Sequence, residues 1–383
     1  MQRIYLDHAA TTPLDTRVLD AMLPWLTRGF GNASSAHDLG RKARGAVEES
    51  RERIARHLGA EPSEIIFTSG GTESDNAALR GIAPCGGLIT SAVEHEAVLR
   101  CAEDLGCDVT LLMPGPFGTV SPDDVERTIS DDTRLVSLMY VNNEIGSVTS
   151  LAAIAKVCRR HGVPLHTDAA QAAGFLSCDV NRLGVDLLSL SGHKIYGPKG
   201  IGVLYVRTGL AFRPFVLGGA QERRRRGGTE NVAAVVGLAC AMDLTEKEKD
   251  ARSAHVTRLR KRLERRIRDT LRGGFIFNTP LNATSQAAPH ILNLSFPPVD
   301  GQALDGEMLL LNLDLQGVMV SAGSACTSGA VEPSHVLMAL GRDRATASAS
   351  LRFSLGKDTT VEDIDTAITR LAGIIERMRS RRA

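Results

Sequence analysis

The sequence predicts an α/β fold: a mostly parallel central sheet with helices on both faces, joined by a smaller α+β domain. Three observations carry this. Strand-length apolar runs alternate with helix-length amphipathic segments from about residue 40 to 210, and crossover helices of that kind cover both faces of a parallel sheet. Glycine and polar residues gather where the apolar runs end, the edge at which open α/β sheets bind ligands. Beyond residue 238 the pattern changes to a long charge-rich stretch and a few separated strands.

In chain order, the strands are "EIIFT" (64–68), "GLITSA" (87–92), "DVTLLM" (108–113), "RLVSLMYV" (134–141), "VPLHTD" (163–168), "VDLLSLS" (185–191) and "GIGVLYV" (200–206). Each is a short apolar run bounded by turn residues and reads as buried. Between them, "RKARGAVEESRERIARHL" (41–58), "TESDNAALRGI" (72–82), "HEAVLRCAEDL" (95–105), "PDDVERTI" (122–129) and "LAAIAKVCRRH" (151–161) have helical spacing. Residues 238–272 read as one long helix or two. "HILNLSF" (290–296), "VMVSA" (318–322) and "SLRFSLG" (350–356) are strands of the smaller domain. The expected division is an N-terminal segment, 1–13, packing with the small domain, a large domain, 14–255, and a small domain, 256–383.

Composition narrows the function. Of 383 residues, 43% are apolar and 23% charged, as in an ordinary globular enzyme. The net charge of +1 gives no general attraction to nucleic acid or an anionic membrane. The runs Arg223–Arg226 and Arg377–Arg382 are local exceptions, read as solvated faces or, for the first, as a subunit-contact or phosphate-adjacent loop. No stretch approaches the roughly 20 apolar residues of a membrane span, and the N-terminus has no apolar signal region. The seven cysteines are odd in number and form no C-x-x-C. That argues against a disulfide framework or a metal site and for a reducing cytoplasm. Cys326 differs from the rest: in "SAGSACTSG" its neighbours are all small.

Four strand ends carry candidate chemistry. After 64–68, Ser69-Gly70-Gly71-Thr72 opens a helix, and backbone N–H groups at such an end can cradle a phosphate. Asp168 ends a buried strand. It reads either as the N-cap of a following helix, with Gln171 at capping-box spacing, or as a fixed anion for a protonated ring nitrogen. Ser191, His193 and Lys194 follow another buried strand. Lysine is rarely buried unpaired, and a desolvated lysine has the lowered pKa that Schiff-base chemistry requires. His95 also follows a strand. A lysine, an anion and a phosphate cradle on one sheet edge are what pyridoxal phosphate needs.

With these in place the chain resembles cysteine desulfurases, in the class V branch of the pyridoxal-phosphate aminotransferase fold. The resemblance runs nearly end to end through "YLDHAATTP", "GNASSAH", "FTSGGTESDN", "EHEAVL", "VNNEIG", "HTDAAQ", "SGHKIYGPKGIG", "GTENV", "GSACTSG", "EPSHVL" and "SLRFSLG". The "GSACTSG" form is similar to the group with the longer catalytic loop. The resemblance implies the aspartate-aminotransferase-like (type I) fold and a role for each matching residue. Lys194 would hold the cofactor and move the substrate α-proton. Asp168 would pair with the pyridinium nitrogen, Gln171 with the ring hydroxyl, and His95 would stack on the ring and relay protons. Gly71, Thr72, Ser191 and His193 would bind the phosphate, and Thr229 would reach the phosphate of a neighbouring subunit, implying a homodimer. Asn143 and Arg352 would hold the substrate carboxylate, and Asn143 would line the cofactor as well. Cys326 would take sulfur from L-cysteine as a persulfide, leaving L-alanine, for an acceptor protein in iron–sulfur cluster assembly or thiolation. An aminotransferase or selenocysteine lyase of the same fold, and a cofactor-free sulfur-carrier or scaffold dimer, are the alternatives.

Overall fold

Strand burial explains the architecture. The computed structural model describes residues 3–83, 86–281, 286–322 and 332–380. The chain begins with β1 (Ile4–Tyr5), α1 (Thr16–Thr27) and α2 (Asp38–Leu58). The alternating region follows as β2 (Ile65–Thr68), α3 (Gly71–Ile82), β3 (Gly87–Ser91), α4 (Glu96–Asp104), β4 (Val109–Leu112), α5 (Pro122–Thr128), β5 (Thr133–Ser137), α6 (Leu151–Arg160), β6 (Leu165–Asp168), α7 (Val180–Leu183), β7 (Leu187–Ser191) and β8 (Gly202–Val206). Every residue of β2, β6, β7 and β8 is buried, because both faces of the sheet are covered. Successive side chains point to opposite faces. Ile65, Phe67, Val203 and Tyr205 therefore join the core under α2 and α6, and Ile66, Leu204 and Val206 the core under α3 and α4.

The sheet order is β2-β8-β7-β6-β5-β3-β4. All neighbours are parallel except β8, which is antiparallel to both β2 and β7. Two reversals restore direction, so β2 runs the same way as β7 and its carboxyl end lies on the same edge. The strand read at 108–113 is shorter and less buried than its apolar sequence suggests: β4 is the sheet edge, and Leu111 and Met113 are exposed. Of the strand read at 134–141, β5 itself ends at Ser137, although Leu138 N and Tyr140 N still donate to His166 O and Asp168 O of β6.

The region read as one helix or two is a single one, α8 (Val232–Leu271), 40 residues and so about 60 Å long. Its first half supplies Val235, Leu238 and Met242 to the large core, and its second half Val256, Leu259, Leu263 and Ile267 to another. The expected boundary at 255/256 falls inside this continuous helix. The second core is completed by β9 (Ile276–Phe277), β10 (Ile291–Ser295), α9 (Gly306–Leu315), β11 (Val318–Met319), β12 (Ser350–Ser354) and α12 (Val361–Ser380), among which β12-β10-β9 form an antiparallel sheet, while α10 (His335–Ala339) and α11 (Arg344–Ser348) pack Val336, Leu337 and Ala347 against Val93 and Ile145. Ile4 and Leu6 belong to this core, and β1 pairs in parallel with β11.

Candidate active site

The carboxyl edge of the large sheet gathers the polar residues. His95 follows β3, Asn143 follows β5, Asp168 ends β6, Ser191 ends β7 with His193 and Lys194 just beyond, and Gly70–Gly71 follow β2. From β3 the chain passes to β4 on one side and to β5 on the other. That reversal is the switch point where open α/β sheets form a crevice.

Lys194 closes a short 3-10 turn after β7. Its Nζ donates to the carbonyl oxygens of Ala9, at 2.6 Å, and Ala10, at 2.8 Å. Burial, with the Arg352 charge second, pulls its pKa down to about 8, while Asp168 and Asp7 oppose the shift. The carbonyls come from an N-terminal segment that lies along the site. Thr12 Oγ1 donates to His193 O and accepts from Tyr196 N, and Ala9 N donates to Ser354 Oγ.

Asp168 is buried, and its Oδ1 accepts from Ala170 N at 2.8 Å. No helix follows. Residues 170–175 form turns, and Gln171 Nε2 donates to Ala9 O at 2.8 Å, so the capping-box alternative is not formed. Ser189 stands opposite Asp168 in the β6–β7 ladder. Two further acids lie behind them. Asp75 on α3 is held well above the carboxylate range by burial and by the nearby Asp168 charge. Burial pushes Glu94 up to about 8, although it accepts from Ser91 Oγ and Met139 N. Burial thus biases both of these acids toward their neutral forms.

His95 caps α4: its Nδ1 accepts from Ala97 N at 3.0 Å. A nitrogen that accepts carries no proton, so the neutral ring has its hydrogen on Nε2. The residue is exposed to the cleft, yet desolvation by the surrounding groups lowers its pKa, with Asp168 opposing the shift and Lys194 adding to it. His193 is lowered to about 4 by burial and then by Lys194 and Lys199, and its Nδ1 lies 3.1 Å from Thr11 Oγ1. It is therefore a neutral hydrogen-bonding group at physiological pH, not a cation.

The cradle is built by glycine. Gly70 has φ 155° and ψ −176°, a region essentially closed to other residues. As N-cap it offers no side chain, so the first-turn N–H groups of α3 are left for a ligand. A Cβ on Gly70 would meet nothing within 4 Å, and one on Gly71 only Ser191 Cβ at 3.6 Å. The open space is in front of the turn. Behind it, a Cβ on Gly202 of β8 would come within 2.7 Å of Gly70 Cα. Glu73 braces the turn by accepting from Ser69 N, and Arg226 binds Glu73 through Nε and Nη2.

Arg352 on β12 is buried. Its Nη1 donates to Asn143 O at 2.9 Å and its Nη2 to Asp7 Oδ1 at 2.8 Å. Arg352 Nε and Asn143 Oδ1 are buried without partners among the described residues.

Two expected residues are not in this cluster. Thr229 is exposed, on the loop that Arg226 ties to the cradle. Cys326 lies outside the described residues. The sequence reading passed over the site-lining role of Asp7, Ala9, Ala10, Thr11 and Thr12, and over Asp75 and Glu94. The available signal was "YLDHAATTP" itself, where two small residues between polar ones permit close backbone approach.

The Aminotransferase class-V profile matches residues 4–367. A cysteine desulfurase IscS of Dictyoglomus turgidum is 44% identical, with 99% of this chain and 96% of that protein covered. Among solved structures, a NifS-like protein superposes with a TM-score of 0.90 at 34% identity, covering 98% of this chain and all of the other. SspA in complex with cysteine superposes at 0.79 with 37% identity, covering 93% and 100%.

Proposed function

The chain belongs to the aminotransferase class-V family, and we propose that it works as its relatives' name describes, as a pyridoxal-phosphate-dependent cysteine desulfurase. It converts L-cysteine to L-alanine and takes the sulfur onto Cys326. The observation that carries this reading is Lys194. A half-buried amine with a pKa near 8, held by two carbonyls beside Asp168, sits in a chain 44% identical to a cysteine desulfurase. The solved complex of the similar SspA with cysteine supports the substrate.

The residues present fit the cofactor. The turn at Gly70–Gly71 has open space before uncapped N–H groups, as a phosphate requires, with Thr72, Ser191 and neutral His193 beside it. Asp168 offers an oxygen without a hydrogen bond among the described residues, next to acids whose burial favours the neutral form. Pyridoxal phosphate, when bound, supplies a carbonyl for amines and an electron sink for bond cleavage. Lys194 would hold it and, as a free amine, take the proton from the substrate α-carbon. A pKa near 8 leaves an appreciable neutral fraction at pH 7–8. His95 carries a proton on Nε2 while Nδ1 is committed to Ala97, so Nε2 is the nitrogen that exchanges protons in the cleft. Gln171 keeps its carboxamide oxygen for the ring hydroxyl while its nitrogen holds Ala9. Arg352 and Asn143 take the substrate carboxylate. In the transfer, the Cβ–S bond of cysteine breaks and an Sγ–S bond forms on Cys326. The carbon skeleton gains a proton and leaves as alanine.

The exposed Thr229 supports a homodimer in which this loop serves the neighbouring site, as does the exposed apolar row Leu19, Leu23, Leu26 and Phe30 along and just beyond α1. The persulfide passes to an acceptor protein of iron–sulfur assembly or thiolation. Cys101, Cys158, Cys178 and Cys240 are free thiols, which suits a reducing cytoplasm. Among the described residues no helix is long and apolar enough to cross a membrane. The test is Cys326→Ala. It retains the cofactor's absorbance and releases no sulfide from cysteine; undiminished sulfide release would overturn the assignment.

A further inference from the structure

The guanidinium expected to receive the substrate carboxylate is already paired with a carboxylate of the chain. Arg352 Nη2 donates to Asp7 Oδ1 at 2.8 Å, with the two side chains 5% and 18% exposed. The pair is held by main chain on both sides. Asp7 bridges in parallel to Ser354, two residues along β12 from Arg352, and Tyr5 Oη donates to Asp7 O. Nη1 is taken by Asn143 O. What remains unpartnered is Arg352 Nε and Asn143 Oδ1, both buried. A carboxamide can turn over to present its N–H₂ instead. An incoming carboxylate thus finds one free guanidinium edge and one amide, on a cation whose charge is already balanced.

We infer that Asp7 is a positioning residue that limits how tightly the site holds carboxylates, by sharing the Arg352 guanidinium with the ligand. A buried cation without its partner attracts a replacement anion strongly. With Asp7 in place that attraction is reduced for substrate and product alike, so the product carboxylate is released readily. The ionisable groups acting on the pair are Lys194 from beyond β7, Tyr5 from β1, His8 just after β1, Glu144 from the loop after β5, and His290 just before β10. The inference rests on the reading of Arg352 as the carboxylate-binding residue.

The experiment uses the holoenzyme and its Asp7→Asn variant. The probe is 3-mercaptopropionate, which has cysteine's thiol and carboxylate but no amine, with ethanethiol as the control lacking a carboxylate. Calorimetric titration of the variant shows 3-mercaptopropionate binding tighter by about tenfold, the worth of one charged hydrogen bond released to the ligand, with ethanethiol unchanged. KM for cysteine falls and kcat does not rise. Equal or weaker binding of 3-mercaptopropionate, as a purely structural role of Asp7 requires, overturns the inference. Recovery of folded Asp7→Asn only when propionate is present supports it. Failure to fold even with propionate, while Asp7→Glu folds, overturns it. Carboxylate binding is read separately from sulfide release, so tighter binding in a protein that releases no sulfide sinks the proposed reaction and leaves this inference standing.

Discussion

Replacing Lys194 by Met in the cofactor-free protein isolates the energetic consequence of burying an amine. The folded pKa of about 8 lies below the ordinary 10.5, so folding favours the neutral form. Below pH 8 the lysine is protonated in both states and the full penalty of a buried charge is present. Between pH 8 and 10.5 the unfolded chain binds a proton that the folded protein does not, so stability rises with pH. A gap of roughly 2.5 units corresponds to about 3 kcal/mol, of which about 2.5 kcal/mol is recovered between pH 7 and pH 10. Lys194→Met lacks this contribution, and every other titrating group is common to both proteins. Urea unfolding at several pH values therefore gives a wild-type minus variant difference that climbs by about 2 to 3 kcal/mol over that range. The hydrogen bonds to Ala9 and Ala10 shift the curve without bending it. A difference that stays flat with pH would refute the claim that the Lys194 amine is desolvated.

Two more outcomes follow from packing. Gly202→Ala places a methyl against Gly70 Cα and Leu190 O. It lowers stability by about 1 to 3 kcal/mol and reduces the cofactor retained per chain, read from thermal denaturation and the absorbance of the purified protein. Glu222→Gln breaks the buried pair in which Glu222 holds Arg51 through two hydrogen bonds and accepts Phe67 N. The loss is about 3 kcal/mol, measured as a shift in the urea midpoint. It also frees the loop where Glu222, Arg223 and Arg224 have positive φ, on the way to Thr229.

Much of the site was legible locally. Lys194 follows "VDLLSLS", a strand-length run with a valine and three leucines between turn residues that reads as buried, so its exit from the strand was informative by itself. Gly70-Gly71 followed a strand and opened a helix, which identifies an anion cradle wherever the strand lies. Asp168 was ambiguous, because an aspartate followed three residues later by glutamine has the spacing of a helix cap. The structure spends Gln171 on Ala9 instead, a partner 162 residues away. β4 was misread as buried because its apolar sequence does not say that it stands at the edge.

By itself the sequence determined the alternation of strands and helices, the residue type at each strand end, and the family to which those residues point. These follow from period, propensity and turn chemistry, which act over a few neighbouring residues. Only the tertiary structure decided that an antiparallel β8 between β2 and β7 brings the glycine cradle to the same edge as Lys194 and Asp168. It alone placed Asp7 on Arg352, 345 residues along the chain, and two alanine carbonyls on the lysine. Strand order is set by the need to bury both faces of a sheet at once. A buried charge takes whichever partner the packing brings within reach. Neither is written in any local stretch of the chain.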